Sequence, residues 1–391
     1  MQKNCRVRHA AMVVCGFALA MNAALSSAAY AQDADTRHSV QPRTTQTSRM
    51  AQLSTDSIPT EGKWGSCTWK MGPDGQMRIA TDGDCVVTKK DEAFLKSYDE
   101  QALTIKSQIK AANVEHTILF ESGSSFAHMF DQAHQMTSFT GMGKFQLQDP
   151  KSTAYLSYMF AGTKVDSVDF DQFRPSNNVI TDFMFAATTV KHLNLSQMSP
   201  QMVGWLLTAD GMFKDSTTLR TVQWPHEEAT QLRSTAEMYS NDTALESVSM
   251  PMQTMRLSST RSMFEGCTNL QTLDLSDFIA SDVGNAIKMF SGCTKLRHLD
   301  ISNLVITKHW SYTMADNMFD QTNIADIAID VNMAIMLDHL HNDKNQPAAY
   351  PGSDQTLWYE GQTPTNTDGK TWTEWFGSNR ANHDLVYRLH Q

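Results

Sequence analysis

At 391 residues the chain is long enough for two ordinary domains or one long solenoid, and its 41% hydrophobic content suits a folded protein. Charged residues make up only 19%, Ser, Thr, Asn and Gln fill the gap, and the formal net charge is -10. An acidic chain of this kind disfavours nucleic acid and anionic membrane as partners.

The first predicted element is a targeting segment. Lys3, Arg6 and Arg8 precede an apolar run from Ala10 to Leu25, and Ala29-Tyr30-Ala31 supplies an A-x-A cleavage signal before Gln32. This predicts a signal peptide over 1–31 and a secreted protein. The run is too short for the roughly 20 apolar residues that cross a bilayer. Cleavage takes the net charge to -13 and leaves Cys67, Cys85, Cys267 and Cys293. Four cysteines allow three pairings. An oxidising compartment permits a Cys67–Cys85 disulfide, and both the bonded and the free form stand. Cys267 and Cys293 share one repeat offset and read as small apolar core side chains on adjacent coils. No CxxC supports a thiolate zinc site.

Residues 32–61 are rich in Thr, Ser and Gln and read as a disordered leader. Residues 62–125 read as an α+β cap. Cys67 to Ile79 alternates polar and apolar residues around Gly72-Pro73-Asp74-Gly75, which predicts a β-hairpin. Asp91 to Ala112 predicts one or two short helices, and Thr117 to Phe120 a strand.

Residues 126–330 repeat. A Met-aromatic pair recurs at Met129, Met159, Met184, Met212, Met238, Met263, Met289 and Met318, at intervals of 30, 25, 28, 26, 25, 26 and 29 residues. Six or seven residues after each Met from Met159 onward comes an apolar-x-x-apolar-x-apolar run, as in Leu270/Leu273/Leu275 and Leu296/Leu299/Ile301. The first unit, with Met136 and Phe139, is degenerate. A unit recurring at this period is one coil of a solenoid. Each run predicts a short strand whose last two apolar residues face the interior. The return segments, such as Ile279 to Lys288, are expected to be loop or 3₁₀ turns, with the Met-aromatic pair plugging the far side of the core. Eight coils are expected.

Residues 331–391 predict a short helix at Val331 to His341, then a tail with Trp358, Tyr359, Trp372, Trp375 and Phe376. Burial is the commoner fate of aromatics, so a closing cap is favoured over a glycan-stacking module.

Met263-Phe-x-Gly-Cys-Thr-x-Leu-x-x-Leu-Asp-Leu-Ser276 and its near copy at Met289 to Ser302 resemble the BspA-like leucine-rich repeat surface proteins of bacteria. They are of the 25-residue subtype also found in mycoplasma lipoproteins. The Trp64-Gly-Ser-Cys-Thr-Trp69 opening is similar to the cap that precedes such repeats. Pro200, Trp224, Pro225 and Pro251 depart from the pattern. The resemblance implies a leucine-rich-repeat-type solenoid of short parallel strands. It also implies a non-catalytic secreted or surface protein that binds macromolecules, often as an adhesin. No LPxTG-like motif or terminal apolar stretch marks wall attachment, so release from the cell is the expectation.

Catalytic signatures fail. His226-Glu-Glu-Ala-Thr230 has Thr where a zinc-protease helix needs its second His, Gly141-Met-Gly-Lys144 lacks phosphate-loop spacing, and no G-x-S-x-G occurs. No enzyme activity, cofactor or metal is expected. The candidate site is a surface. Between the last two apolar residues of successive runs lie Asp169, Asn194, Gln223, Ser249, Asp274 and Asp300. Two residues earlier lie Ser167, His192, Thr221, Ser247, Thr272 and His298. Stacked in register, these form two outward ladders on the strand face, the surface solenoids use for binding. Their polarity is equally accounted for by a wet face. The favoured function is adhesion or binding through this face to an extracellular protein or glycan, by a monomer. The alternative is a carbohydrate-binding or carbohydrate-active protein centred on the aromatic tail.

Overall fold

A computed structural model describes residues 58–330, apart from 92–93, 96–99, 171, 307–314, 316 and 325. It also describes the backbone of two later strands, Thr356–Tyr359 and Asp384–His390. The expected signal peptide, most of the expected leader, the expected helix at Val331 to His341, and Trp372, Trp375 and Phe376 lie outside these residues.

The repeats form a parallel β-solenoid. Face strands at His192–Asn194, Thr221–Gln223 and Ser247–Ser249 pair in parallel, one coil to the next. Thr272–Asp274, His298–Ile301 and Asp326–Asp330 do the same. The alternation works as the sequence requires. Leu193, Val222, Val248, Leu273 and Leu299 are buried while their neighbours turn out to solvent. Each such side chain contributes roughly 1.5–3 kcal/mol once stacked on its counterparts.

The return segments differ from expectation. Ile279–Val283, predicted as loop or 3₁₀ turn, is a strand paired in parallel with Gln253–Thr254 and Leu304–Ile306. Ala154–Tyr155, Val179–Ile180 and Leu206–Thr208 form another such ladder. Buried Ala280 and Val283 show the reason: even short returns carry inward apolar residues, and stacking lets their backbone groups pair between coils. Pro200 departs from the repeat because it opens a short helix, Pro200–Gly204, whose N-cap Ser199 accepts a hydrogen bond from the Met202 N–H.

The Met-aromatic pairs build an anchor turn with a fixed backbone. The residue before every Met, from His128 to Asn317, lies at φ +53 to +59°, and the residue three after every Met lies at +53 to +77°. This explains Gly266 and Gly292 in the two most regular copies, where glycine adopts the left-handed region without steric cost. From Phe130 to Phe290, each aromatic N–H donates to the Met carbonyl of the following coil at 2.8 to 2.9 Å. The rings of Phe130, Phe160, Phe185, Phe213, Tyr239, Phe264, Phe290 and Phe319 form one column, centroids 5.0 to 6.2 Å apart.

In the cap, Cys67–Met71 and Gln76–Ile79 pair as the expected hairpin, and Cys67 is bonded to Cys85. A further strand, Glu61–Trp64, pairs with Cys67–Met71 and begins inside the segment expected to be leader. Helix is confined, among the described residues of Asp91 to Ala112, to Glu100–Gln108, and Ala111–Val114 is a strand. That strand joins Gln76–Ile79 to Ser138–Thr140 in parallel, so coil geometry begins before the first Met-aromatic pair. The helix supplies the buried Lys106, whose ammonium donates to the His128 carbonyl at 2.9 Å and to the Asp131 carboxylate. It thereby satisfies the first anchor turn, which has no earlier anchor turn to pair with. At the other end, Asp384–His390 runs antiparallel beside Asp326–Asp330, and Thr356–Tyr359 pairs with it in turn. This hairpin closes the face sheet. Trp358 and Tyr359 are strand residues within it.

Candidate functional site

The face strands place the predicted ladders side by side. His192 aligns with Thr221 and Ser247, and Asn194 with Gln223 and Ser249. Thr272 aligns with His298, and Asp274 with Asp300. Asp169 flanks Val168, which bridges to Phe139 in place of a full strand. Asp169, His192, Asn194, Gln223, Ser249, Thr272, Asp274 and His298 are exposed, and Asp300 is half-buried. The two halves of the face do not join by strand pairing. Among the described residues, pairing stops between Ser247–Ser249 and Thr272–Asp274.

Several of these side chains have a local structural task. Asn194 Oδ1 accepts from the Ser196 N–H at 2.9 Å. Asp274 Oδ1 accepts from the Ser276 N–H and hydroxyl at 2.9 and 2.6 Å, and Asp300 Oδ1 from those of Ser302 at 3.0 and 2.7 Å. These are Asx turns that satisfy the backbone as it leaves the face strand. The His192 ring nitrogen lies 2.8 Å from the Thr221 hydroxyl.

At the middle of the face lies a cleft of about 520 Å³, bounded by Met198, Gln223, Pro225, Glu227, Ser249 and Pro251. His226 and Ser247 also border it. Sequence reasoning marked Gln223 and Ser249 but missed His226, Glu227 and the role of the prolines. The signal that could have found them was the departure of Trp224, Pro225 and Pro251 from the repeat pattern.

The carboxyls whose pKa values are raised lie elsewhere, on the anchor turns. Burial raises Asp182, whose Oδ1 accepts from the Asp210 N–H at 3.0 Å. Burial and then the Asp182 charge push Asp210 up to about 7. Burial lifts Asp242 well above the usual carboxylate range, while one of its oxygens accepts from the Ser216 N–H at 2.8 Å. Cys267 and Cys293 are fully buried, their thiols donating to the carbonyls of Tyr239 and Phe264 at 3.1 and 3.0 Å. Burial raises the Cys267 thiol well above its ordinary range, so it is not held as a thiolate. Among the described residues no group of three or more His, Cys, Asp or Glu is placed to hold a metal ion. No helix among them is long and apolar enough to cross a membrane.

The fold is thus a leucine-rich-repeat-type solenoid. Residues 207–345 match the BspA type leucine rich repeat region in six copies. Among solved structures it is similar to a leucine-rich repeat protein from Eubacterium ventriosum, with 12% identity, 70% of this chain and 92% of that chain covered, and a TM-score of 0.21. No curated protein matches it.

Proposed function

We propose that the protein is a non-catalytic, secreted binding protein that engages an extracellular macromolecule through the outward face of its solenoid. The observation that carries this reading is the register of the face. Exposed polar side chains recur coil after coil at two fixed positions, giving an extended surface on a rigid scaffold. The BspA-type repeats support it, because proteins with such repeats are often surface proteins or adhesins.

The test is retention of the chain on extracellular-matrix and bacterial-wall fractions. Substituting Ser249→Lys with Thr272→Lys on the face is expected to lower retention at least tenfold. Lys288→Glu on an anchor turn should leave it unchanged. Equal retention by the face variant would remove this face from consideration.

A further inference from the structure

The coils differ in how the chain leaves the face strand. In three of them the second outward residue is Asn or Asp and the residue two positions on is Ser: Asn194 with Ser196, Asp274 with Ser276, Asp300 with Ser302. In each the carboxylate or amide oxygen accepts from the serine N–H. In the two central coils that residue is proline, Pro225 and Pro251. Proline has no N–H to satisfy. Gln223 and Ser249 therefore have no such backbone task, and neither is Asn or Asp. A wet, self-satisfying face accounts for Asn194, Asp274 and Asp300. Gln223 and Ser249 instead keep their polar groups for water or a ligand.

These two residues border the central cleft. Among the described residues, the side chains of Gln223, His226, Glu227, Ser247 and Ser249 make no hydrogen bond within the chain, so five polar groups with unused capacity converge there. The lining is mainly polar; Pro251 adds a half-buried apolar edge, while Met198, Trp224 and Pro225 border it from the buried side. A volume of about 520 Å³ falls within the range of small-ligand sites, roughly 300–1,000 Å³. No Lys or Arg borders the cleft, and Glu227 is its one carboxylate. An anionic ligand such as a sulfated or sialylated chain finds no cation there and meets a like charge. Hydroxyl and amide groups both donate and accept, which matches a ligand that is itself rich in hydroxyls.

We infer that this cleft is a subsite for a neutral saccharide. The inference rests on the binding role proposed for the face and names the ligand class at its centre. It places saccharide recognition on the solenoid, not in the aromatic tail.

The test is a glycan array of neutral, sialylated and sulfated oligosaccharides, probed with the full chain and two variants. Gln223→Ala combined with Ser249→Ala removes the unused polar groups, and Ser249→Trp fills the cleft. Both positions are solvent-exposed, and unchanged thermal melts will verify folding. Wild type should retain neutral glycans at least tenfold over acidic ones, the double variant should lose at least tenfold, and Ser249→Trp should lose binding. The inference is overturned by no retention of neutral glycans, by preference for sulfated ones, or by variants that bind like wild type. If neutral glycans fail while matrix protein is still retained and the face variants release it, the subsite falls and the face reading stands. If that protein capture is instead sensitive to the cleft variants alone, the cleft serves a peptide and the saccharide assignment is wrong. Loss of both kinds of binding removes both readings.

Discussion

Gly211 shows how closely single residues are tied to the stacking. Seven other anchor turns place a side chain before Met, and three of these, His128, Tyr158 and Phe183, stack ring on ring at 4.7 and 4.8 Å. Gly211 comes next in that row. A Cβ there would lie 2.3 Å from the Phe183 ring, at φ +57°. Gly211→Ala should therefore destabilise by about 2–4 kcal/mol, combining left-handed strain with overpacking. Phe183→Ala in the same chain should recover the overpacking part. Urea unfolding of both variants measures this, and an unchanged Gly211→Ala midpoint would contradict it. Asp210 gives a pH effect at the same edge. Its pKa rises on folding from 3.8 to about 7, so the folded form binds more protons in that window and stability falls as pH rises through it. The melting temperature should drop between pH 5 and pH 7.5, and Asp210→Asn should flatten most of the drop. Asp182 and Asp242, also raised, leave a residual slope of the same sign. An identical slope in Asp210→Asn would refute the assignment.

The aromatic column is the element that ties coil to coil. One ring in it carries a polar group: the Tyr239 hydroxyl accepts from the buried Trp224 Nε1–H at 2.8 Å. Trp224 breaks the aliphatic pattern of its run, and this bond is the reason it is tolerated in the core. Tyr239→Phe leaves the indole N–H buried without a partner and should cost about 1–3 kcal/mol. In a double-mutant cycle with Trp224→Phe, the two losses should be less than additive. Strict additivity would show that the bond contributes nothing.

For the whole molecule, the vulnerable places are the ends. A parallel solenoid leaves a strand edge at each terminus, and unpaired edges promote association. The cap hairpin covers the first edge and Asp384–His390 covers Asp326–Asp330 at the other. A chain shortened after Asp330 should therefore associate, while the full chain stays smaller at the same concentration. Light scattering after gel filtration measures this, and equal masses per chain would deny the tail its closing role.

Sequence alone determined the coil. The Met-aromatic spacing and the apolar-x-x-apolar-x-apolar run fix which residues point inward, because strand alternation and repeated stacking allow one burial pattern. Leu273, Leu299 and the inward Met-aromatic pairs were legible on that ground, and so was the outward position of Gln223, Ser249, Asp274 and Asp300. Local composition misled where pairing is long-range. Ile279–Val283 reads as a polar return, yet it becomes a strand because the coils on either side supply partners. Ala111–Val114 likewise becomes a strand through Gln76–Ile79 and Ser138–Thr140, far from it in sequence. Only the tertiary structure decided which outward aspartates are free. An aspartate facing solvent looks the same in sequence whether or not its carboxylate caps the backbone two residues on. Asp274 and Asp300 do so because the coil fixes the turn that follows them, whereas Pro225 and Pro251 already mark in the sequence two positions with no N–H to cap.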